Sequence, residues 1–155
     1  MKNLLLKLTL PLAALALTPL AASAQVLPGQ HPAYLHALKD LRTARWLLEH
    51  QAGDVKVYAD EDVAITEADA TIKEIKRASI DDGKDIHDHE NLDVHEHGSR
   101  LLRAIETLKK ARADIDGEED NPETRELRHR AHEHLDHAIR AAEHAHAEWL
   151  KDVKQ

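Results

Sequence analysis

The chain has no cysteine and no phenylalanine, and its one methionine is Met1. Without thiols there is no disulfide framework and no thiolate metal site. Without a methionine beyond the first residue there is no thioether site of the kind copper(I) favours. Aromatic side chains make up 3% of the residues, so a core must be built from Leu, Ile and Ala around Tyr34, Trp46, Tyr58 and Trp149. Strand signals are missing as well: apolar and polar residues do not alternate and β-branched residues are sparse. Beyond residue 24 the only serines are Ser79 and Ser99. Neither lies in a nucleophile-elbow pattern, and with no cysteine the chain reads as a binding or structural protein, not an enzyme.

The N-terminus carries Lys2 and Lys7, a short apolar run from about 8 to 17, and the small-residue stretch Ala21-Ala22-Ser23-Ala24. A positive start, a short apolar core and an Ala-x-Ala site are what a secretory peptidase reads, so residues 1–24 are expected to be a signal peptide cut before Gln25. The apolar run is too short to span a bilayer. The expected location is periplasmic or secreted, with no membrane span after cleavage. Residues 25–30 read as a tether and 31–155 as one domain. Loss of Lys2 and Lys7 leaves 19 basic residues against 29 acidic ones, a formal charge of −10. Bases and acids are interspersed, so no basic patch supports nucleic-acid binding, and the surface favours cations. Nothing in the sequence names a protein partner.

Four helical patterns follow, at about 32–52, 61–80, 100–116 and 122–153. Pro32 suits a first helical position, Asp60, Glu61 and Asp62 suit a helix start, and Ser99 is an expected N-cap. Asn121-Pro122-Glu123 supplies N-cap, N1 proline and first-turn acid. Gly53, Gly83 and Gly117 read as stops. Apolar stripes recur at three and four residue steps, such as Leu101, Ala104, Ile105, Leu108, Ala111 and Ile115. The fourth stripe is rich in alanine, from Leu127 through Ala131, Ala138, Ala142 and Ala145 to Trp149. Arg45 lies within the first stripe and is expected to snorkel or meet an acid. The expected fold is all-α, an antiparallel up-down-up-down four-helix bundle with one long His/Asp/Glu-rich loop at 81–98.

Thirteen histidines are the main anomaly. The loop holds His87, His89, His95 and His97 among Asp88, Glu90, Asp93 and Glu96. The fourth helix holds His129, His132, His134, His137, His144 and His146. Imidazole with carboxylate suits borderline divalent metals, so zinc, nickel or copper(II) are the cations expected, and divalent metal ions the expected partners. In an up-down-up-down bundle the 81–98 loop and the end of the fourth helix share one end of the molecule, together with His31 and His36. The expected metal ligands are therefore His87, His89, Asp93, His95, His97, His144 and His146. By helical angle, His129, His132, Glu133 and Asp136 fall on a polar face, where His132 and Asp136 can pair. A ferritin-like di-iron site does not fit, because Glu126-x-x-His129 and Glu143-x-x-His146 lie on one helix. No histidine sits centrally in a stripe, as an axial haem ligand would. The competing reading is a metal-free, pH-responsive structural or stress protein, or an interaction module of the cell envelope.

Three segments carry a resemblance. They are His31-Pro32-Ala33-Tyr34-Leu35-His36-Ala37-Leu38-Lys39-Asp40-Leu41-Arg42 with Ala44-Arg45; Glu74-Ile75-Lys76-Arg77-Ala78-Ser79-Ile80-Asp81-Asp82-Gly83-Lys84-Asp85; and Glu119-Asp120-Asn121-Pro122. Together they resemble a group of small exported all-helical bacterial proteins of unknown function, over most of the mature chain. The resemblance implies export and helices and carries no activity or site. That group carries prolines after the Asp-Asp-Gly-Lys segment where this chain has histidines, so the histidine excess is partly its own. The Asp81-Asp82-Gly83-Lys84-Asp85 turn is then the more widely shared feature, read as a helix C-cap with acidic, solubilising residues.

Overall fold

The first stripe folds as α1, Pro32–Leu48, opened by a proline that needs no N–H partner there. The others fold as α2 (Ala59–Arg77), α3 (His97–Asp116) and α4 (Arg125–Val153). These assignments come from a computed structural model describing residues 31–54, 56–77, 80, 82–117 and 125–155. The expected leader, the tether and the Asn121-Pro122-Glu123 helix start lie outside the described residues. Among the described residues there is no strand, and no helix is long and apolar enough to cross a membrane.

The core is the one the stripes predict. Tyr34, Leu38, Leu41 and Leu48 of α1, Ala68, Ile72 and Ile75 of α2, and Leu101, Leu108 and Ile115 of α3 are all buried. On α4 Ala131, Leu135, Ala138, Ala142 and Ala145 are fully buried, and small side chains let α2 and α3 approach closely. Helix ends differ from the sequence reading where side chains intervene. α1 stops before Glu49, and Asp54 then accepts the Gln51 N–H in a turn containing Gly53 at φ +110°. α3 begins two residues before Ser99, because the Glu96 carboxylate takes the N–H groups of Gly98 and Ser99.

Around the ring the order is α1, α2, α4, α3. Side-chain pairs fix the directions: Arg45–Asp69, His144–Asp60, Arg112–Asp136 and Lys110–Asp40 each join antiparallel neighbours. His97 at the start of α3 meets Glu61 at the start of α2, so those two helices are parallel across the diagonal. Every neighbouring pair is thus antiparallel, as expected, but in chain order the helices run up-down-down-up. The connection after α2 does not stay at its end; it climbs the outside of α1 and delivers the chain to the far end. The 19 residues between Arg77 and His97 can do this. An extended stretch of that length reaches roughly 60 Å, and α2 is only about 28 Å long.

Arg42 holds this crossover in place. It is 1% exposed, its Nη1 and Nη2 donate to the two Asp82 oxygens at 3.2 and 2.6 Å, and its Nε donates to the Asp88 carbonyl at 2.9 Å. Gly83, at φ +70°, supplies the left-handed turn beside the clasp. Gly83 is therefore part of the crossover and not the stop of α2. Burial alone would raise the Asp82 carboxyl; the Arg42 fork and the Lys84 N–H outweigh it and hold it below the usual range. The two longest segments of the resemblance therefore meet in one ion pair.

Candidate functional site

Because the helices run up-down-down-up, the expected gathering of histidines at one end does not form. His31 and His36 lie at the end where α1 begins. His87 and His89 lie along α1: His87 Nδ1 is 3.4 Å from Arg45, and the His89 ring stacks on Trp46 at 4.5 Å. Asp93 and His95 pair at 2.8 Å in open solvent. His95, His97, His144 and His146 do reach one end, the far one, where α2 and α3 begin and α4 finishes, with His95 and His97 lining a cleft beside Trp149. His50 is at that end too, 3.6 Å from Asp54. His146 stacks on Trp149, one turn away on α4.

Among the described residues one group of metal-capable side chains converges: Asp60, His144 and Glu148, whose ligand atoms lie within 4.8 Å of one another. His144 Nδ1 is 2.5 Å from Asp60 Oδ2. Helix geometry builds the group. His144 and Glu148 are four apart on α4 and so share a face, and Asp60 enters from the first turn of α2 across the seam. Of the expected ligands, only His144 belongs to it. His87, His89, Asp93, His95, His97 and His146 have other neighbours.

The same seam repeats the arrangement further down. Asp60, Glu67 and Glu74 follow one another at seven-residue steps on α2. Opposite them α4 presents His144, then His137 and His134, then Arg130. Glu67 takes His134 at 2.6 Å, and Glu74 takes Arg130 at 2.8 Å. The Arg130 bond holds the Glu74 carboxyl below its usual range, against the pull of burial and with help from Arg77. Seven residues are nearly two helical turns, so each acid meets a basic side chain, imidazole or guanidinium, along one stripe. Both periodicities stand in the sequence at 60, 67, 74 and at 130, 137, 144.

Next to the triad lies a buried polar centre that the sequence reading missed. Arg100 is fully buried and donates to Asp54 Oδ2 at 2.5 Å; its Nε and Nη1 meet no acceptor among the described residues. His97, 10% exposed, places Nε2 3.0 Å from Glu61 and Nδ1 3.8 Å from Asp54. Glu61 also accepts the Tyr58 N–H, closing the first turn of α2. Burial would raise the Asp54 carboxyl, but the Gln51 N–H, Arg100 and His97 hold it below its usual range. The Tyr58 hydroxyl donates to Asp152 at 2.8 Å, and burial with that acceptor pushes its pKa up to about 12. One guanidinium faces two carboxylates here, so the centre is neutral when the His97 ring carries both protons. Arg100, Asp54, His97 and Glu61 are buried against one another and order the helix ends. Comparison with protein-family models, with curated proteins and with solved structures finds no match to the chain.

Proposed function

We propose that this chain is an exported helical protein, periplasmic or secreted, that binds divalent metal ions reversibly at the α2–α4 seam through Asp60, His144 and Glu148. The observation that carries the reading is their convergence from two helices within 4.8 Å. One imidazole and two carboxylates form a nitrogen–oxygen set suited to zinc, nickel or copper(II). The net acidic charge draws cations toward it. Three protein ligands leave a position for water, and His144 has 59% of its side chain exposed. Both features suit exchange and buffering better than permanent structural retention. Only an unprotonated ring nitrogen can ligate a metal, so binding weakens in acid. The role is binding, not catalysis.

The test is calorimetric titration of residues 25–155 with zinc. His144→Ala or Glu148→Gln is expected to weaken the tightest site by more than the roughly tenfold that loss of a ligand's hydrogen-bonding support costs; His129→Ala leaves it unchanged. Wild-type affinity in both seam variants overturns the assignment. Fractionation of the producing cell, with N-terminal sequencing, tests export: the reading expects Gln25 as the first residue outside the cytoplasm.

A second reading rests on a separate observation. Among the described residues, His50, His95, His97, His129, His132, His134, His137 and His144 each lie within 4.0 Å of a carboxylate. Such pairing suits a metal-free protein whose helix seams respond to pH. Zinc titration separates the two, since this reading gives only weak, heterogeneous uptake.

A further inference from the structure

A cleft of about 530 Å³ opens at the far end of the bundle, between the end of α4 and the segment leading into α2. Its volume is in the range of small-molecule sites. One wall is the Trp149 indole, laid flat on the backbone of Gly98: a Cβ at that glycine would stand 2.3 Å from a ring carbon. The buried Tyr58 ring forms another side, and the carboxylates of Asp54, Glu96 and Asp152 line the cleft. None of the three residues of the metal reading lines it.

The cleft already holds one charged group, and that group shows what chemistry it accepts. The Lys56 ammonium rests 4.6 Å from the centre of the Tyr58 ring and 2.7 Å from Asp152 Oδ2. Aromatic face and carboxylate together are how proteins hold organic cations. The Lys56 side chain is nevertheless 57% exposed, on a stem free to swing into water. An exposed lysine pair of this kind contributes little to stability and yields readily to a competitor. Without Lys56 the cleft keeps its aromatic walls and the His95 and His97 rings; Asp54 is buried on Arg100, both Glu96 oxygens take N–H groups of the α3 start, and Asp152 is the carboxylate that loses its ionic partner.

We propose that this cleft binds an aliphatic primary amine of the di- or triamine class, and that Lys56 is the built-in occupant the ligand displaces. One ammonium of the ligand takes the Lys56 position between Tyr58 and Asp152. The alkyl chain lies along Trp149, and a second ammonium meets the exposed Glu96 at the other side.

The probe is spermidine, titrated calorimetrically into residues 25–155 with a chelator present so that metal plays no part. Removing the internal competitor in Lys56→Ala is expected to tighten binding by about tenfold, the scale of one cation–π and ion-pair contact. Adding Asp152→Asn to Lys56→Ala reverses that gain. Quenching or enhancement of Trp149 emission, read in a Trp46→Phe background, accompanies binding. Equal affinity in wild type and Lys56→Ala overturns the proposal. So does binding that Asp152→Asn leaves intact, the result an unspecific acidic surface gives.

Discussion

Substitution of Asp82 by alanine is expected to be among the most damaging single changes outside the apolar core. The reason lies in an asymmetry of burial. Arg42 is 1% exposed and Asp82 is 14% exposed, so the two ends of the ion pair respond differently to loss of the partner. Asp82→Ala strands a buried guanidinium with only the Asp88 carbonyl to serve it, a situation that costs about 3–5 kcal/mol. Arg42→Met fills the volume with an apolar chain and leaves a carboxylate on the crossover that can turn to water; the cost falls to about 1–2 kcal/mol. Urea denaturation followed by far-ultraviolet circular dichroism measures both. The crossover should also loosen first in Asp82→Ala, with faster hydrogen exchange at the Asp88 amide, which now donates to Asp85 at 3.1 Å. A loss below about 0.5 kcal/mol for Asp82→Ala, the range of an ordinary surface change, refutes the reasoning, as does a larger loss for Arg42→Met. The pH dependence has a definite sign. The folded-state pKa of Asp82 lies below its unfolded value, so in acid the unfolded chain binds the proton more readily. The clasp's contribution is therefore complete above about pH 4 and declines as pH falls below it.

Gly98→Ala forces the Trp149 indole off the α3 backbone and is expected to cost about 1–3 kcal/mol, with a red shift of Trp149 emission; an unchanged spectrum contradicts the packing. His132 sits in the α3–α4 seam with 16% of its side chain exposed, 3.1 Å from Asp116 yet not aimed at it, so neither ring nitrogen makes a hydrogen bond among the described residues. Burial lowers its pKa, against the pull of Asp116. Its contribution to stability is then complete above the ordinary imidazole value of about 6.5 and is lost as pH falls through the lower folded value. His132→Leu should flatten the stability curve between about pH 7 and 5, and an unchanged slope in denaturation midpoints across that range counts against it.

The helices and their buried faces were legible in the sequence because apolar spacing is a local property. The Leu101–Ile115 stripe of α3 is buried residue for residue. The order of the helices was not. Short connections force antiparallel neighbours, and extending that rule to the long connection after α2 put His87, His89, His95, His144 and His146 at one end. A chain of that length can instead run the height of the bundle, and the residue that makes it do so, Arg42, lies inside the α1 stripe where a charge reads as an exception. Arg45, the other charge in that stripe, does find acids, Asp69 and Glu49. The helical angle put His132 and Asp136 on a wet face of α4, but α3 covers that side, and Asp136 bonds Arg112 instead. Of the triad, His144 was visible as a histidine. Asp60 was read only as a helix-start acid, since nothing along the chain brings residues 60 and 144 together. The repeat of acids at 60, 67 and 74 against bases at 130, 137 and 144 was the available signal.

The most direct test of the metal reading is the imidazole nitrogen spectrum of histidine-labelled protein, residues 25–155, as zinc is added below one equivalent. Thirteen rings are available, so the order in which they respond identifies the site. The seam assignment predicts that the His144 resonances move first and alone, with Nδ1 as the bound nitrogen. Movement of His87, His89 or His95 before His144, or of all rings in proportion, contradicts it.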